Sequence, residues 1–524
     1  MRKLKILLKN NAHTTKELIT MAQPRSSFGM ELEFIVAYTT AEKPITNVPK
    51  CFEASKGGPM VLPAGNRSSL QTEDLVRSRL ETTIAKALEN HRGDHLIKTD
   101  NEVVGDSNAY HLRPYRDWIV GQDNSVFFPP ELQGQEHIRE YEYQPIEIQS
   151  PALWATDASF EEIRIVIQAL ADEYWILTPR SAGLHFHYGN GKEYIPFQNL
   201  RRIAAFLLAV DPIIVQLHPD TRRENDYCLS NRLYSRVAHG LPAAIAARQI
   251  GAQDVEEEAE FPTAFDRRNR NPRLKPGSIT RQSQSWFQYQ QLRQRRQERD
   301  RKRKVMFKRG DLTGYTFNRC IFLANVLEGG DGENKDVLPL DIPSAVREIL
   351  RCLNAPTVAQ LMHESEEERP AYSFLSYLTE SYRRPPRMMG FRPARKQPKR
   401  TVEFRQQAST IVPEEIVAHG RVVVRLCEFA ANADLEELWK IVLDCTTAEA
   451  SGEWYDVFDL LAELGLNREA RVLQRAVARF RGETVPAEFD EDEEEVMPEE
   501  NAERRTWLGR LPGWLRLIIP RDSV

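Results

Sequence analysis

The stretch SSFGMELEF, Ser26 to Phe34, sets two glutamates two residues apart inside an apolar run. In an extended strand successive side chains point to opposite faces, so Met30, Leu32 and Phe34 share one face and Glu31 and Glu33 the other. Carboxylates held side by side repel each other unless they are solvated, share a proton or hold a cation between them. A solvated strand face accounts for one such pair. The case for something more is that the pattern recurs along the chain.

YEYQPIEIQSP alternates Ile146 and Ile148 with Glu147, and SAGLHFHYG alternates Leu184, Phe186 and Tyr188 with His185 and His187. TVEFRQ puts Val402 and Phe404 on one side, Glu403 and Arg405 on the other. If the four strands share a sheet, its apolar face packs on helices. Its other face then lines a bay carrying four glutamates, one or two histidines and an arginine. Divalent cations relieve the repulsion in such a bay, and an oxygen-rich set with a single imidazole suits Mg²⁺ or Mn²⁺ better than zinc or copper. Arg405 beside Glu403 suits a phosphate oxygen. Metal and phosphate together imply nucleotide chemistry.

The rest of the chain is consistent with an enzyme core bearing insertions and tails. Of 524 residues, 41% are hydrophobic and 28% charged, enough for a substantial core under a charged surface. The six cysteines are scattered, with no close pair of the kind that marks a zinc knuckle or redox motif, which fits a reduced compartment. No apolar run is long enough to span a bilayer, and the start MRKLKILLKN has too short an apolar patch for a signal peptide. The expected location is cytoplasmic, ahead of a mitochondrial reading of the basic start. The net charge of -5 hides segregation: residues 264–310 hold 16 Lys and Arg against 3 Asp and Glu, and residues 483–503 hold 11 acidic residues and no basic one. Nucleic acid is not the expected partner of the basic tract, because its aromatics do not interleave with the basic residues and the whole chain is acidic. The two tracts suit a protein partner, or each other.

The organisation expected is a polar lead-in over 1–25 and a catalytic domain over 26–433, interrupted by a basic insertion at about 251–309. A helical extension over 434–482, an acidic tract over 483–503 and a short apolar and basic tail over 504–524 follow. The spacing of apolar residues predicts helices over Thr72–Asn90, with Thr72 as cap, and over Ser159–Tyr174, Asn199–Gln216 and Glu414–Ala433.

FGMELEF, WIVGQDNSV, PIEIQSP, GLHFHYG, YTFNRC and TVEFRQQAST, taken in order, resemble the successive motifs of an amidoligase family common in fungi. That family belongs to the carboxylate-amine ligase superfamily with glutamine synthetase and glutamate-cysteine ligase. The resemblance covers about Ser26 to Thr410. It implies an α+β fold in which a curved antiparallel sheet, flanked by helices, forms a glutamine-synthetase-like funnel. ATP and two or more Mg²⁺ or Mn²⁺ ions would meet a carboxylate and an amine there, joining them through an acyl phosphate. Carried over, Glu31, His185 and Glu403 would hold the metal nearer the ATP phosphates, and Glu33 and Glu147 the one nearer the substrate carboxylate. Arg405 would neutralise the phosphoryl group in transfer. His187 is left between a contact with metal or substrate and a structural role. Asp123 would either bind the ammonium of an amino-acid substrate or cap a turn before Asn124 and Ser125. Arg222, Arg223 and Arg232 are candidates for the ATP phosphates or the substrate carboxylate, with a plain surface role as the alternative. Tyr315 and Asn318 are expected on a helix facing the site, without a chemical role.

Two other functions compete. A non-catalytic interaction protein would keep the fold and bind through the charged insertion and tail, and it has no use for clustered like charges. A metal hydrolase built on His185 and His187 would need more clustered histidines than this sequence offers. The acid, the amine and the oligomeric state are not legible.

Overall fold

The computed structural model of the chain describes residues 26–43, 45, 47–96, 115–223, 227–252, 340–363, 369–378, 400–451 and 455–480. The expected lead-in, all but the first two residues of the insertion, Tyr315, Asn318, the side chain of Arg223, the acidic tract and the terminal tail lie outside them.

SSFGMELEF opens the strand on which the fold is built. β1 (Ser27–Thr40) is 14 residues long and lies centrally in the sheet. Along one edge it pairs antiparallel with β4 (Glu142–Gln149) and, past a break at Ser150, with β5 (Leu153–Trp154). Along the other edge it meets β7 (Gly183–Gly189) and β6 (Ile176–Leu177), both antiparallel, and β2 (Met60–Leu62), the parallel exception. β3 (Ile119–Gly121) extends the sheet beyond β4, and β9 (Val402–Ala408) and β8 (Tyr372–Ser373) extend it beyond β7. The result is an open nine-stranded sheet in the order β3-β4-β1-β7-β9-β8, antiparallel but for β2, in a mixed helix-and-strand fold.

The apolar face is as the alternation requires. Phe28, Met30, Leu32, Phe34 and Val36 of β1, Ile146 and Ile148 of β4, Leu184 and Phe186 of β7, and Val402 and Phe404 of β9 are all buried in one core. Helices cover it. In the helix Asp157–Glu173, Phe160, Ile163, Ile167 and Leu170 recur at helical spacing and are buried. The helix Pro413–Asn432 presses close enough that a Cβ on Gly420 would lie 2.9 Å from Phe186 and 3.1 Å from Phe160, so only glycine fits there. The helices Leu435–Ser451, Val457–Glu463 and Asn467–Phe480 of the expected extension add Leu438, Val442, Leu461 and Leu473 to this same core.

Two local expectations change. The helix predicted from Thr72 runs from Ser69 to Ala87 and is capped by Ser68, because Ser68 and Gln71 form a reciprocal capping box; the Thr72 hydroxyl bonds the Ser68 carbonyl instead. The second face of β1 is also not polar throughout. Ile35 and Ala37, which follow Glu31 and Glu33 on that face, are buried in a smaller cluster with Phe52, Tyr141 and Trp175. On β1 this cluster takes over where the acidic face ends beyond Glu33.

Candidate active site

The ladder register decides which side chains meet. Glu31 of β1 stands between Gln149 of β4 and His185 of β7, and Glu33 stands opposite Glu147. His187 of β7 stands opposite Glu403 of β9, which faces Ser373 of β8. All four strands read from the alternation therefore contribute to one face. Glu31, Glu33, Glu147, Gln149, His185, Ser373 and Glu403, together with Asp123, Arg369 and Arg405, line a cavity of about 440 Å³, and His187 stands behind Glu31 and Glu403 rather than in its lining.

Among the described residues, the carboxylates and histidines of this face fall into two groups whose ligand atoms lie within 4.8 Å of one another. One is Glu31, His187 and Glu403; the other is Glu33, Asp123 and Glu147. The partition differs from the expected one at two residues. His187, not His185, joins Glu31 and Glu403: its Nε2 lies 3.2 Å from Glu31, while its Nδ1 lies 3.1 Å from the Thr401 hydroxyl. The ring is thus held at one nitrogen and faces a carboxylate with the other. His185 lies between the groups, Nδ1 3.7 Å from Glu31 and Nε2 3.8 Å from Glu33, and burial pushes its pKa down to about 4.

Asp123 is the second difference. Its Oδ1 accepts a hydrogen bond from the Ser125 amide at 2.7 Å, so it does cap the turn, yet it also completes the Glu33 group. The turn follows β3, whose Gly121 faces Glu147. β3 is pinned at its start by Trp118, whose indole donates at 2.9 Å to Glu162, a fully buried carboxylate that also binds His95 and the Gly93 amide.

Glu33 shows the electrostatic cost of this arrangement. Burial, with Asp123 and Glu147 adding repulsion, pushes its pKa up to about 7, against a 2.7 Å hydrogen bond from the Gly183 amide and the positive charge of Arg222. Gly183 has no room for a side chain: a Cβ would sit 2.6 Å from His185 and 3.1 Å from Arg222.

The arginines divide. Arg405 lines the cavity, pairs with Glu403, and donates through Nε to the Tyr227 carbonyl at 3.2 Å. Arg369, which no motif pointed to, lines the same cavity with its guanidinium 4.9 Å from the Tyr227 ring. Arg222 is buried and bonds the backbone of β9 at Arg405 and Gln406. Arg232 does not reach the cavity: its guanidinium makes a two-point pair with Glu449 at 2.8 and 3.0 Å, so the expected ATP contact has no support in its placement. Gln149, Ser125 and Ser373 also line the cavity and were missed; the alternation of Glu147 with Gln149 was a legible signal for the first.

An extended run of alternating strands, a shared register and two convergent acidic groups are what the motif resemblance called for. Residues 24–236 match the family of the putative amidoligase enzyme. This similarity suggests a ligase. The match covers less than half of the chain and ends before β8 and β9, so Arg369, Ser373, Glu403 and Arg405 reach the cavity from outside it. No curated protein and no solved structure shows a significant match to the chain. No described helix is long and apolar enough to cross a membrane.

Proposed function

We propose that the cavity is the site of an ATP-dependent carboxylate-amine ligase that uses Mg²⁺ or Mn²⁺. The observation that carries this reading is the pair of convergent groups, Glu31, His187 and Glu403 beside Glu33, Asp123 and Glu147, whose five carboxylates line one cavity with His185 and Arg405. The donors fit hard divalent cations: five carboxylates and one imidazole, with the Glu33 pKa raised to about 7 mainly by burial. Each group would hold one cation, supplying charge neutralisation for ATP phosphates and for the reacting carboxylate.

The chain's own residues then have separate tasks. Arg405 and Arg369 face the cavity as cationic donors and suit the oxygens of a phosphoryl group. In this reading a carboxylate substrate would attack the γ-phosphate of ATP with ADP leaving, and an unprotonated amine would attack the acyl phosphate to give an amide and inorganic phosphate, its proton passing to the departing phosphate or to solvent. The apolar cluster around Ile35 and Trp175 begins where the acidic face ends on β1 and would limit water there that hydrolyses the acyl phosphate. In this reading Asp123 serves the cation beside Glu33 rather than a substrate ammonium, and His185 is a neutral spacer between the two groups. The acidic face of the sheet would form the inner wall of the glutamine-synthetase-like funnel. The acid and amine are small molecules, peptides or protein side chains. An interaction-protein reading would draw on 251–309 and 483–503, which lie almost wholly outside the described residues.

Calorimetric titration of a non-hydrolysable ATP analogue tests the proposal. Saturable binding that requires Mg²⁺, disappears in EDTA and is weakened by Glu403→Gln is the expected result; cation-independent binding, or none to folded protein, would refute it.

A further inference from the structure

Asp211 is a buried carboxylate that the proposed chemistry does not use. It stands on the helix Phe197–Ile214, one residue before Pro212, with 1% of its surface exposed. Its Oδ2 accepts from the Ser230 hydroxyl at 2.5 Å and from the Arg232 amide at 3.0 Å, and its Oδ1 accepts from the side-chain amide of Gln406 at 2.7 Å. A carboxylate without such donors would be costly at this depth. Ser230, Arg232 and Gln406 come from two segments that flank the same arginine, and the buried Tyr372 hydroxyl of β8 also faces this carboxylate.

The first segment is β9. Phe404 pairs with Phe186 and Gln407 with Leu184, so Arg405 and Gln406 together oppose the single residue His185. This is a β-bulge, which bends a strand, takes backbone groups out of the ladder and re-aims side chains. Arg222 takes up the carbonyls at the bulge, donating to that of Arg405 at 2.5 Å and to that of Gln406 at 3.4 Å. Asp211 holds the bulge through the Gln406 side chain. The second segment is the turn through Ser230 and Arg232. Just before it, the carbonyl of Tyr227 accepts from Nε of Arg405.

We propose that Asp211 is a positioning residue for Arg405, fixing both the bulge that carries the arginine and the turn that follows Tyr227, whose carbonyl holds its Nε. Its functional consequence rests on the reading of Arg405 as a phosphoryl contact; the geometric consequence does not.

Two variants test it, Asp211→Asn and the milder Gln406→Met, which removes one donor at nearly constant volume and carries the test if the first fails to fold. Crystal structures read the geometry directly: Arg405 displaced from Glu403 and Tyr227 is expected, and an unmoved Arg405 with an intact bulge overturns the proposal. In parallel, affinity is measured for Mn²⁺ alone and for a non-hydrolysable ATP analogue with Mn²⁺, in wild type, Gln406→Met, Arg405→Ala and the double variant. Gln406→Met should weaken the analogue about tenfold, leave Mn²⁺ alone unchanged, and have no further effect once Arg405 is gone. Additive losses, or a matching loss of Mn²⁺, would mean a general structural role and overturn it. If wild type takes Mn²⁺ but no nucleotide, the ligase reading fails and the crystal structures alone decide the positioning.

Discussion

The two acidic groups of the cavity are built differently from one strand. Glu31 takes its partners from β7 and β9, so Glu31, His187 and Glu403 all sit on laddered backbone. Glu33 takes one partner from β4 and the other, Asp123, from a turn beyond the short strand β3. The first group includes an imidazole held by Thr401; the second is all carboxylate and contains the side chain with the strongly raised pKa. The contrast teaches that, if the proposed cations bind, the sheet offers one of them a set of side chains held by ladder partners. The other would meet a carboxylate cluster in which burial first, and like charge second, raises the Glu33 pKa.

The largest expected difference concerns that raised pKa. In cation-free protein Glu33 keeps its proton up to about pH 7, whereas the unfolded chain loses it near the ordinary value of 4.5. Between these values the folded state binds more protons, so the Glu33 contribution to stability falls as pH rises, by up to about 3 kcal/mol, and levels off above pH 7. Buried His185, His363 and His419, whose pKa values are lowered, add a rise in stability with pH that wild type and Glu33→Gln share, so the Glu33 slope is read as the difference between the two. Thermal or urea unfolding in EDTA across pH 4 to 8 should show Glu33→Gln gaining stability relative to wild type as pH rises, and a difference that does not change with pH would place the raised pKa elsewhere.

Removing a ligand from the laddered group should cost binding instead. Glu403→Gln is expected to weaken Mn²⁺-dependent nucleotide binding about a hundredfold without the gain in stability, as calorimetry and unfolding on the same samples would show. Between the histidines, His187→Ala should lower Mn²⁺ affinity about tenfold more than His185→Ala; equal effects would erase the distinction drawn between them. Smaller still, Thr401→Val should reduce Mn²⁺ affinity several-fold by freeing the His187 ring, read out by the same titration.

The same contrast explains what was legible in the sequence. Period-two alternation marks strand residues by face, so Glu31, Glu33, Glu147, Glu403, Arg405 and both histidines fall on one face from the order of residues alone. Alternation does not set register, and a choice between His185 and His187 depends on which residue faces Glu403 across β7 and β9. Asp123 was visible as a motif residue, but its meeting with Glu33 depends on where a turn lands. Two arginines of TRRENDYCLSNR, Arg222 and Arg232, have partners that the sequence does not show. Arg232 is claimed by Glu449, more than two hundred residues away, and Arg222 by a bulge in β9, and neither contact leaves a local trace. The apolar burial of Ile35 and Ala37 depends likewise on aromatic side chains brought in by distant loops.

The central claim is that two divalent cations occupy two distinct groups of side chains. Anomalous diffraction from crystals grown with Mn²⁺ and a non-hydrolysable ATP analogue tests it most directly. The account predicts two peaks, one among Glu31, His187 and Glu403 and one among Glu33, Asp123 and Glu147, with phosphate density beside Arg405. Ordered protein with no peak at either group would contradict it.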